Sequence, residues 1–230
     1  MTDMRVAILF SGGKDSCQAV KWALDNGHNV EALIAIKPKN SEAYIWHYPT
    51  VEWSILQAQS MGIPLILAKT DDIGAETEAN VLNKVFEKLK VDAVLLGGVG
   101  LQKTQINAVK EIAKKFGIKV LVPYEKLSSE ELLDEELKSG FDIRITDVAV
   151  DGLGPDWIGK KLDSETKIDL KRLSEKFGFD ILFEGGSANT FVVDAPFFKK
   201  KIEIIDSEKI WDSKTSSGYL EIKNAVLSSK

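Results

Sequence analysis

The stretch RVAILFSGGKDS, residues 5–16, decides the fold of this chain. Its first half is an apolar run that predicts a buried β-strand. Its second half is too small and polar to continue that strand, and residues 17–24 then place apolar side chains at helical spacing. The sequence therefore predicts a strand, a glycine turn and the start of a helix.

The turn has the composition of a polyphosphate-binding site. Gly12 and Gly13 let backbone amides approach a ligand closely and can adopt φ > 0. The N-terminus of the following helix adds unpaired amides and the positive end of the helix dipole. Lys14 adds a mobile positive charge, and Ser11 and Ser16 add hydroxyl donors.

The turn differs from the P-loop, whose pattern is G-x-x-x-x-G-K-[ST]. No glycine lies five residues before Gly13, and Asp15 follows Lys14. The string SGGKDS instead resembles the pyrophosphate loop, or PP-loop, of the N-type ATP pyrophosphatases. That resemblance implies that the loop holds the β- and γ-phosphates of ATP while the α-phosphate is attacked and pyrophosphate leaves.

Lys14 and Asp15 are the candidate catalytic residues of this loop. Lys14 would neutralise the charge that builds up as pyrophosphate leaves. Asp15 would lie too close to the phosphates to remain unpaired, so the sequence predicts a Mg²⁺ ion held between Asp15 and the phosphates. A simple capping role for Asp15 at the helix start is also compatible with the pattern.

Strands and helices alternate through the first half of the chain. The further predicted strands cover residues 30–36, 63–68, 92–98 and 118–123. The predicted helices between them cover residues 52–61, 76–89 and 105–116. This alternation is typical of a doubly wound parallel sheet covered by helices on both faces, an α/β fold.

The ends of two of these strands are candidate nucleotide contacts, because ligands of open α/β sheets bind at the carboxyl ends of the strands. Ile34, Ala35 and Ile36 are expected to flank the adenine with their backbone groups. Gly97 and Gly98 are candidates for bringing backbone near the ribose or adenine, although a tight turn explains them nearly as well.

The second half of the chain has a different pattern. Residues 129–139 form an acidic amphipathic pattern, a helix whose acidic run is expected to face solvent. The predicted strands that follow cover residues 141–145, 180–183, 191–193, 202–205 and 219–222, with a helix at 168–177. We predict a nucleotide-binding domain at residues 1–125 and a smaller α+β domain at residues 126–230.

The composition bears on nucleic-acid binding, disulfide formation and location in the cell. The net charge of −5 does not indicate a general nucleic-acid-binding surface. The single cysteine, Cys17, cannot form an internal disulfide, which suits a reducing compartment. Cys17 follows the loop directly, so it is either a thiol at the site or a small buried helix residue. No signal peptide or membrane-spanning apolar run is visible, so we expect a cytoplasmic protein.

Motifs outside the loop are more specific than the loop itself. They are Tyr44 with His47, QA at 57–58, GIP at 62–64, WIGK at 157–160 with LD at 162–163, EGG at 184–186 with Thr190, DAPFFK at 194–199, and TSSG at 215–218. With these motifs the chain resembles the diphthine–ammonia ligase family over nearly its whole length. The resemblance implies a Rossmann-like, adenine nucleotide alpha hydrolase-like N-terminal domain and a C-terminal domain that helps form the acceptor site.

The resemblance also implies the reaction. In this family ATP adenylates the carboxylate of diphthine on translation elongation factor 2, and ammonia displaces AMP to leave an amide. The implied ligands are ATP, Mg²⁺, ammonia and a protein acceptor resembling diphthine-modified elongation factor 2, and a homo-oligomer is compatible with the sequence. Glu184 is a candidate for orienting the amine or binding metal. His47 is a candidate contact to phosphate or acceptor, or a packed surface residue.

The acceptor half of the motif set departs from the family. The family usually has E-G-G-E, an aromatic residue, Glu or His, and Thr, whereas this chain has Ser187, Ala188 and Asn189 at the centre. An arginine common after the fourth strand is also missing. ATP binding is therefore expected to be intact. Three interpretations stay open. The acceptor is diphthine-modified elongation factor 2, as in the family, or it is another substrate such as a tRNA base or a metabolite. In the third interpretation, the protein binds a nucleotide without turnover.

Overall fold

A computed structural model describes residues 3–38, 50–70, 79–99 and 103–230 of the chain. The first half contains five parallel strands in the order β3-β2-β1-β4-β5. They are β1 (Arg5–Leu9), β2 (Asn29–Pro38), β3 (Leu65–Thr70), β4 (Ala93–Leu95) and β5 (Lys119–Leu121). This confirms the predicted doubly wound α/β fold. The order reverses direction at β1, and ligands of such open sheets commonly bind at the carboxyl ends of the strands at this point.

Helices cover both faces of this sheet. They are α1 (Lys14–Asp25), α2 (Ser54–Met61) after a 3-10 turn at Thr50–Trp53, α3 (Leu82–Phe86) and α4 (Lys103–Lys115). Along β1, Val6 and Ile8 belong to one buried cluster while Ala7 and Leu9 belong to another. Alternate side chains of the strand thus enter two cores, which is why the strand is a continuous apolar run. The helix predicted at 76–89 is shorter where the structure describes it, and residues 71–78 lie outside the described residues.

The second half is built on an antiparallel sheet in which β6 pairs with β7, β8 and β10, and β10 pairs with β9. Its strands are β6 (Asp142–Val148), β7 (Lys161–Leu162), β8 (Ala188–Asp194), β9 (Lys201–Asp212) and β10 (Ser217–Ser228). The helices are α5 (Ser129–Lys138) and α6 (Ser164–Phe177). This arrangement agrees with the predicted α+β character.

The strand predicted at residues 180–183 is wrong, because this segment forms a turn. The Asp180 carboxylate accepts hydrogen bonds from the amides of Leu182, at 2.9 Å, and Glu184, at 3.4 Å. The Asp180 carbonyl accepts a third from the amide of Phe183, whose φ is +71°. A short acidic side chain that accepts hydrogen bonds from the backbone amides after it competes with strand formation. In this segment these hydrogen bonds stabilise a turn instead of a strand.

The solvent-facing interpretation of the acidic run on α5 is wrong for Glu136, which is fully buried. Glu136 lies four and three residues after Leu132 and Leu133, so all three side chains share the buried face of the helix. The helix begins with a reciprocal capping box between Ser128 and Glu131. The carboxyl group of Glu136 is therefore placed inside the protein by the same periodicity that buries the leucines.

The two halves share a continuous hydrophobic core. The cluster that contains Val6 and Ile8 of β1 also contains Ile143 of β6 and Phe191 of β8. The amide of Val192 donates to the carbonyl of Gly12 at 3.0 Å. Strand β8 therefore lies directly against the loop after β1. Among the described residues, no helix has the length and apolarity needed to cross a membrane.

Candidate functional site

The predicted phosphate loop connects β1 to α1 and lies against α2 and β8. Gln57 of α2 donates from Nε2 to the carbonyls of both Gly12 and Val192, each at 2.8 Å. Gly12 has φ of +87°, and a Cβ atom there would lie 2.6 Å from Gln57 Oε1 and 3.2 Å from the Phe191 ring. Only glycine suits both the conformation and the space. The buried Gln57 thus ties the loop to the second sheet.

Hydroxyl groups fix the remainder of the loop. Ser16 Oγ donates to the Gly13 carbonyl at 3.0 Å, and the Gly13 amide donates to Ser11 Oγ at 3.3 Å. The Lys14 amide donates to Thr190 Oγ1 of β8 at 3.2 Å. The predicted loop residues are thus brought together, and Thr190 forms one wall beside them. From the sequence, Thr190 was identified only as part of a family motif. Its contact with the Lys14 amide was not predicted.

Lys14 is not the mobile charge that the sequence predicted, because its side chain is 1% exposed and its ammonium is held by hydrogen bonds. Its ammonium donates to Asp15 Oδ2 at 2.8 Å, to Asp15 Oδ1 at 3.0 Å and to the Leu182 carbonyl at 2.9 Å. Burial alone lowers the pKa of Lys14, but the negative charges of Asp15, Glu136 and Glu184 outweigh it and raise the pKa above its usual value. Lys14 is therefore a fixed positive charge beneath the loop.

Glu136 is a site residue that sequence reasoning missed. Its Oε2 lies 3.6 Å from Lys14 Nζ, and neither carboxyl oxygen has a hydrogen-bond partner among the described residues. Burial and the nearby charge of Asp15 raise the pKa of Glu136 well above its usual value, against the opposing effect of Lys14. Asp15, at 2.8 Å, is the nearer of the two carboxyl partners of Lys14. The helical spacing from Leu132 and Leu133 was the signal that could have found this residue.

The glycines after β4 pack against the loop region. A Cβ atom on Gly97 would lie 2.3 Å from the Asp15 carbonyl oxygen and 2.9 Å from the Ser16 amide nitrogen. Gly98 has φ of +83°, and a Cβ atom there would lie 3.0 Å from Glu184 Oε1. Gly97 is thus required for close approach to the first turn of α1. Gly98 places the turn that carries Glu184 beside the same end of the sheet.

The remaining predicted ligand contacts are those of the β2 strand end and of His47. Ile34, Ala35 and Ile36 are buried in β2, and the Ile34 carbonyl accepts from the Phe10 amide at 2.8 Å. Their role beside adenine stays a prediction. His47 and its neighbour Tyr44 lie outside the described residues.

Cys17 is buried, and burial raises the pKa of its thiol well above the usual value. The neutral thiol form is a poor nucleophile. Of the two interpretations that the sequence left open, the structure therefore favours a small packed helix residue.

The segment that departs from the family motif, residues 187–189, contacts a carboxylate on a neighbouring strand. Asn189 Nδ2 donates to Asp147 Oδ1 of β6 at 3.1 Å. Burial raises the pKa of Asp147 to about 6, while the hydrogen bond from Asn189 opposes the rise. Sequence reasoning missed Asp147, because only the antiparallel register of β6 and β8 brings it opposite Asn189.

Replacing Asp147 by asparagine is expected to stabilise the protein above about pH 6. The pKa of Asp147 in the folded protein, about 6, exceeds its ordinary 3.8. The folded state therefore holds the proton more tightly, and stability is lost as the pH rises between these values. At one pKa unit per 1.4 kcal/mol, the ionised form costs roughly 2–3 kcal/mol, which Asp147→Asn removes.

Denaturant unfolding at about pH 4 and about pH 8 measures this difference. The exposed Asp151, replaced by asparagine, is the matched control and should show the same small effect at both pH values. An equal effect of Asp147→Asn at both pH values would contradict the assignment of the raised pKa.

Asp15 is the loop residue whose chemistry would suit a Mg²⁺ ion bound together with substrate phosphates. Within the described part of the chain, no group of three or more histidine, cysteine or acidic side chains could hold a metal ion. Magnesium, however, is usually bound through one or two carboxylates together with substrate phosphates. The half-buried Asp15 beside the loop supplies one such carboxylate.

Comparison with known proteins gives consistent matches along the chain. The profile of the diphthamide synthase N-terminal domain matches residues 4–120, and that of the C-terminal domain matches residues 128–228. Diphthine–ammonia ligases from Bos taurus and Homo sapiens are 34% and 33% identical over 229 residues, which cover 90% of this chain and 85% of each relative. The diphthine–ammonia ligase of Schizosaccharomyces pombe is 30% identical over 97% of this chain and 40% of that protein.

Proposed function

The chain belongs to the diphthamide synthase family, and from this membership we propose that it is an ATP-dependent ligase that adenylates a carboxylate and transfers ammonia to it. The observation that carries the proposal is the loop at residues 11–16, which lies at the crevice of the parallel sheet above a buried, positively charged Lys14. Its proposed protein acceptor resembles diphthine-modified elongation factor 2, since the relatives are named for their action on diphthine.

The first step forms an acyl-adenylate. A carboxylate oxygen of the acceptor attacks the α-phosphorus of ATP, and the bond to the β-phosphate oxygen breaks, so that pyrophosphate leaves with the electron pair. Glycine amides and serine hydroxyls of the loop bind the β- and γ-phosphates. The fixed charge of Lys14 stabilises the negative charge that develops on pyrophosphate, and its burial strengthens that effect.

The second step forms the amide. The lone pair of ammonia attacks the acyl carbon, the bond from that carbon to the phosphate oxygen breaks, and AMP leaves with the electron pair. The nitrogen then loses one proton to give the neutral amide. Glu184 is proposed to orient the amine or to hold metal, since its carboxylate adjoins Gly98 and raises the pKa of Lys14.

Further contacts remain part of the proposal. The strand end at 34–36 and the glycines at 97–98 border the adenosine, and His47 contacts phosphate or acceptor. Asp15 would hold Mg²⁺ together with the phosphates, and the ion would supply charge neutralisation there. The division into domains 1–125 and 126–230, a cytoplasmic location and a homo-oligomer are also retained as proposals.

The products of the reaction test the choice of bond. Incubation with ATP, ammonium chloride and diphthine-bearing elongation factor 2 should release AMP and pyrophosphate, and the acceptor should exchange one hydroxyl group for an amino group. Nucleotide chromatography and intact-mass analysis measure the two results. Release of ADP and phosphate would contradict the adenylation mechanism.

A second candidate function is adenylation of a different acceptor, such as a tRNA base or a metabolite. The observation that favours it is the replacement of the acidic family pattern by Ser187, Ala188 and Asn189. AMP formation that depends on another added acceptor, with diphthine-bearing elongation factor 2 unchanged, would select this candidate. Tight ATP binding with no AMP formed on any acceptor would select a nucleotide-binding role.

A further inference from the structure

Three polar side chains occupy one face at the junction of β6 and β8. Asp147 lies opposite Asn189 in the antiparallel register, and the Ala149 amide donates to the Ser187 carbonyl at 2.9 Å, which continues that register. Since opposite residues and alternate residues share a face, Asp147, Ser187 and Asn189 point to the same side. We call these three residues the β6–β8 polar cluster.

The β6–β8 polar cluster is rich in hydrogen-bond acceptors and lacks a positive charge. Burial and the hydrogen bond from Asn189 are the influences on the pKa of Asp147, and no cationic side chain of the described residues is among them. Ser187 is 8% exposed, and its Oγ has no partner among the described residues. A partly buried carboxylate with one neutral partner and a buried, unpartnered hydroxyl are costly unless a cation or donor satisfies them.

The segment that carries this cluster contacts the phosphate loop region at both ends. Glu184, at its start, adjoins Gly98 after β4. Thr190, at its end, accepts from the Lys14 amide. Ser187 and Asn189 lie between these two contacts along the chain, so the segment that carries the cluster is held against the loop region at both ends.

We propose that the β6–β8 polar cluster binds the ammonium ion that supplies the amide nitrogen, an inference that rests on the ligase function proposed above. Ammonium carries four N–H donors and one positive charge. Oxygen acceptors that match these donors are the Asp147 carboxylate, the Ser187 hydroxyl and the side-chain amide oxygen of Asn189. This assignment leaves Glu184, beside Gly98, for the metal role.

The cluster also provides a destination for the proton that ammonium must lose. Ammonium gives one proton to the Asp147 carboxylate, and the ammonia that remains has the lone pair needed to attack the acyl carbon. AMP then leaves as described above, and a second proton passes from the new carbon–nitrogen centre to solvent. No oxidant, reductant or further reactant is needed.

A binding experiment independent of turnover tests the site. Crystals soaked in a thallium(I) salt, which replaces ammonium by a monovalent cation of similar size, should show an anomalous peak beside Asp147 and Ser187. The peak should disappear in Asp147→Asn and persist in Asp151→Asn. Absence of the peak from the unaltered protein would overturn the proposal.

Steady-state kinetics provide the second measurement. Asp147→Asn should raise the KM for ammonium about tenfold or more, because a charged acceptor is replaced by a neutral one. The KM for ATP and the rate of pyrophosphate–ATP exchange should stay within about twofold, since neither involves ammonium. An unchanged ammonium KM would overturn the proposal even if thallium binds.

The two proposals fail in distinguishable ways. If the protein forms no amide on any acceptor but thallium binds beside Asp147, the ligase function fails while a monovalent-cation site remains. If amide forms at a normal ammonium KM in Asp147→Asn, the ligase function stands and the ammonium site fails. Asp151→Asn, which changes an exposed carboxylate nearby, controls for a general change of charge.

Discussion

Replacing Gly97 by alanine should displace the first turn of α1 and lower ATP affinity at least about tenfold. The added Cβ would lie 2.3 Å from the carbonyl oxygen of Asp15, 2.5 Å from its carbonyl carbon and 2.9 Å from the Ser16 amide nitrogen. These are backbone atoms, so the overlap cannot be relieved by rotating a side chain. The helix start must move, and it carries the phosphate loop with it. We expect a loss of stability of about 1–3 kcal/mol as well.

Gly117 provides a matched control for this substitution. Its φ is +69°, and nothing lies within 4 Å of a Cβ atom at that position. Gly117→Ala therefore introduces only left-handed backbone strain, at roughly 1 kcal/mol, far from the loop. Calorimetric titration with ATP and denaturant unfolding measure both variants. If Gly97→Ala binds ATP as tightly as Gly117→Ala, the contact between β4 and α1 does not position the loop.

Replacing Lys14 by alanine should nearly abolish AMP formation and weaken ATP binding. The Lys14 ammonium is a buried cation of the loop itself, and removal of one such electrostatic contact typically costs about 100- to 1,000-fold in rate. The substitution also leaves the Leu182 carbonyl without its donor and Asp15 without its cation. Breaking a buried pair in this way should lower stability by roughly 3 kcal/mol.

Lys21 is the control for Lys14 because it lies on the same helix but is more exposed and pairs with Asp25. Lys21→Ala should keep AMP formation within about twofold and lose less than about 1 kcal/mol of stability. To separate folding from chemistry, rates should be measured at a temperature where circular dichroism shows each variant folded. Unchanged ATP affinity in Lys14→Ala would contradict the assignment of residues 11–16 to phosphate binding.

Much of the fold follows from patterns that act over a few residues. The apolar run of β1 and the small residues after it predict a strand, turn and helix wherever the remaining chain lies. The predictions were wrong where a nearby side chain bound the backbone, or where burial depended on residues far away in the chain. Asp180 captured nearby amides and turned a predicted strand into a turn. Glu136 is buried with its leucine neighbours in the core, where its Oε2 lies 3.6 Å from Lys14 Nζ.

By itself, the sequence determined the α/β sheet, the glycine turn between strand and helix at residues 11–16 and the family. These depend on periodicity and on adjacent residues, which a linear string records completely. Only the tertiary structure decided that Lys14 is a buried charge between Asp15 and Glu136, and that Asp147 faces Asn189. The contacts of Lys14 with Glu136 and of Asp147 with Asn189 each join residues more than forty positions apart, through core packing and strand register. A single sequence carries no local signal for that register, because many pairings satisfy the same alternation.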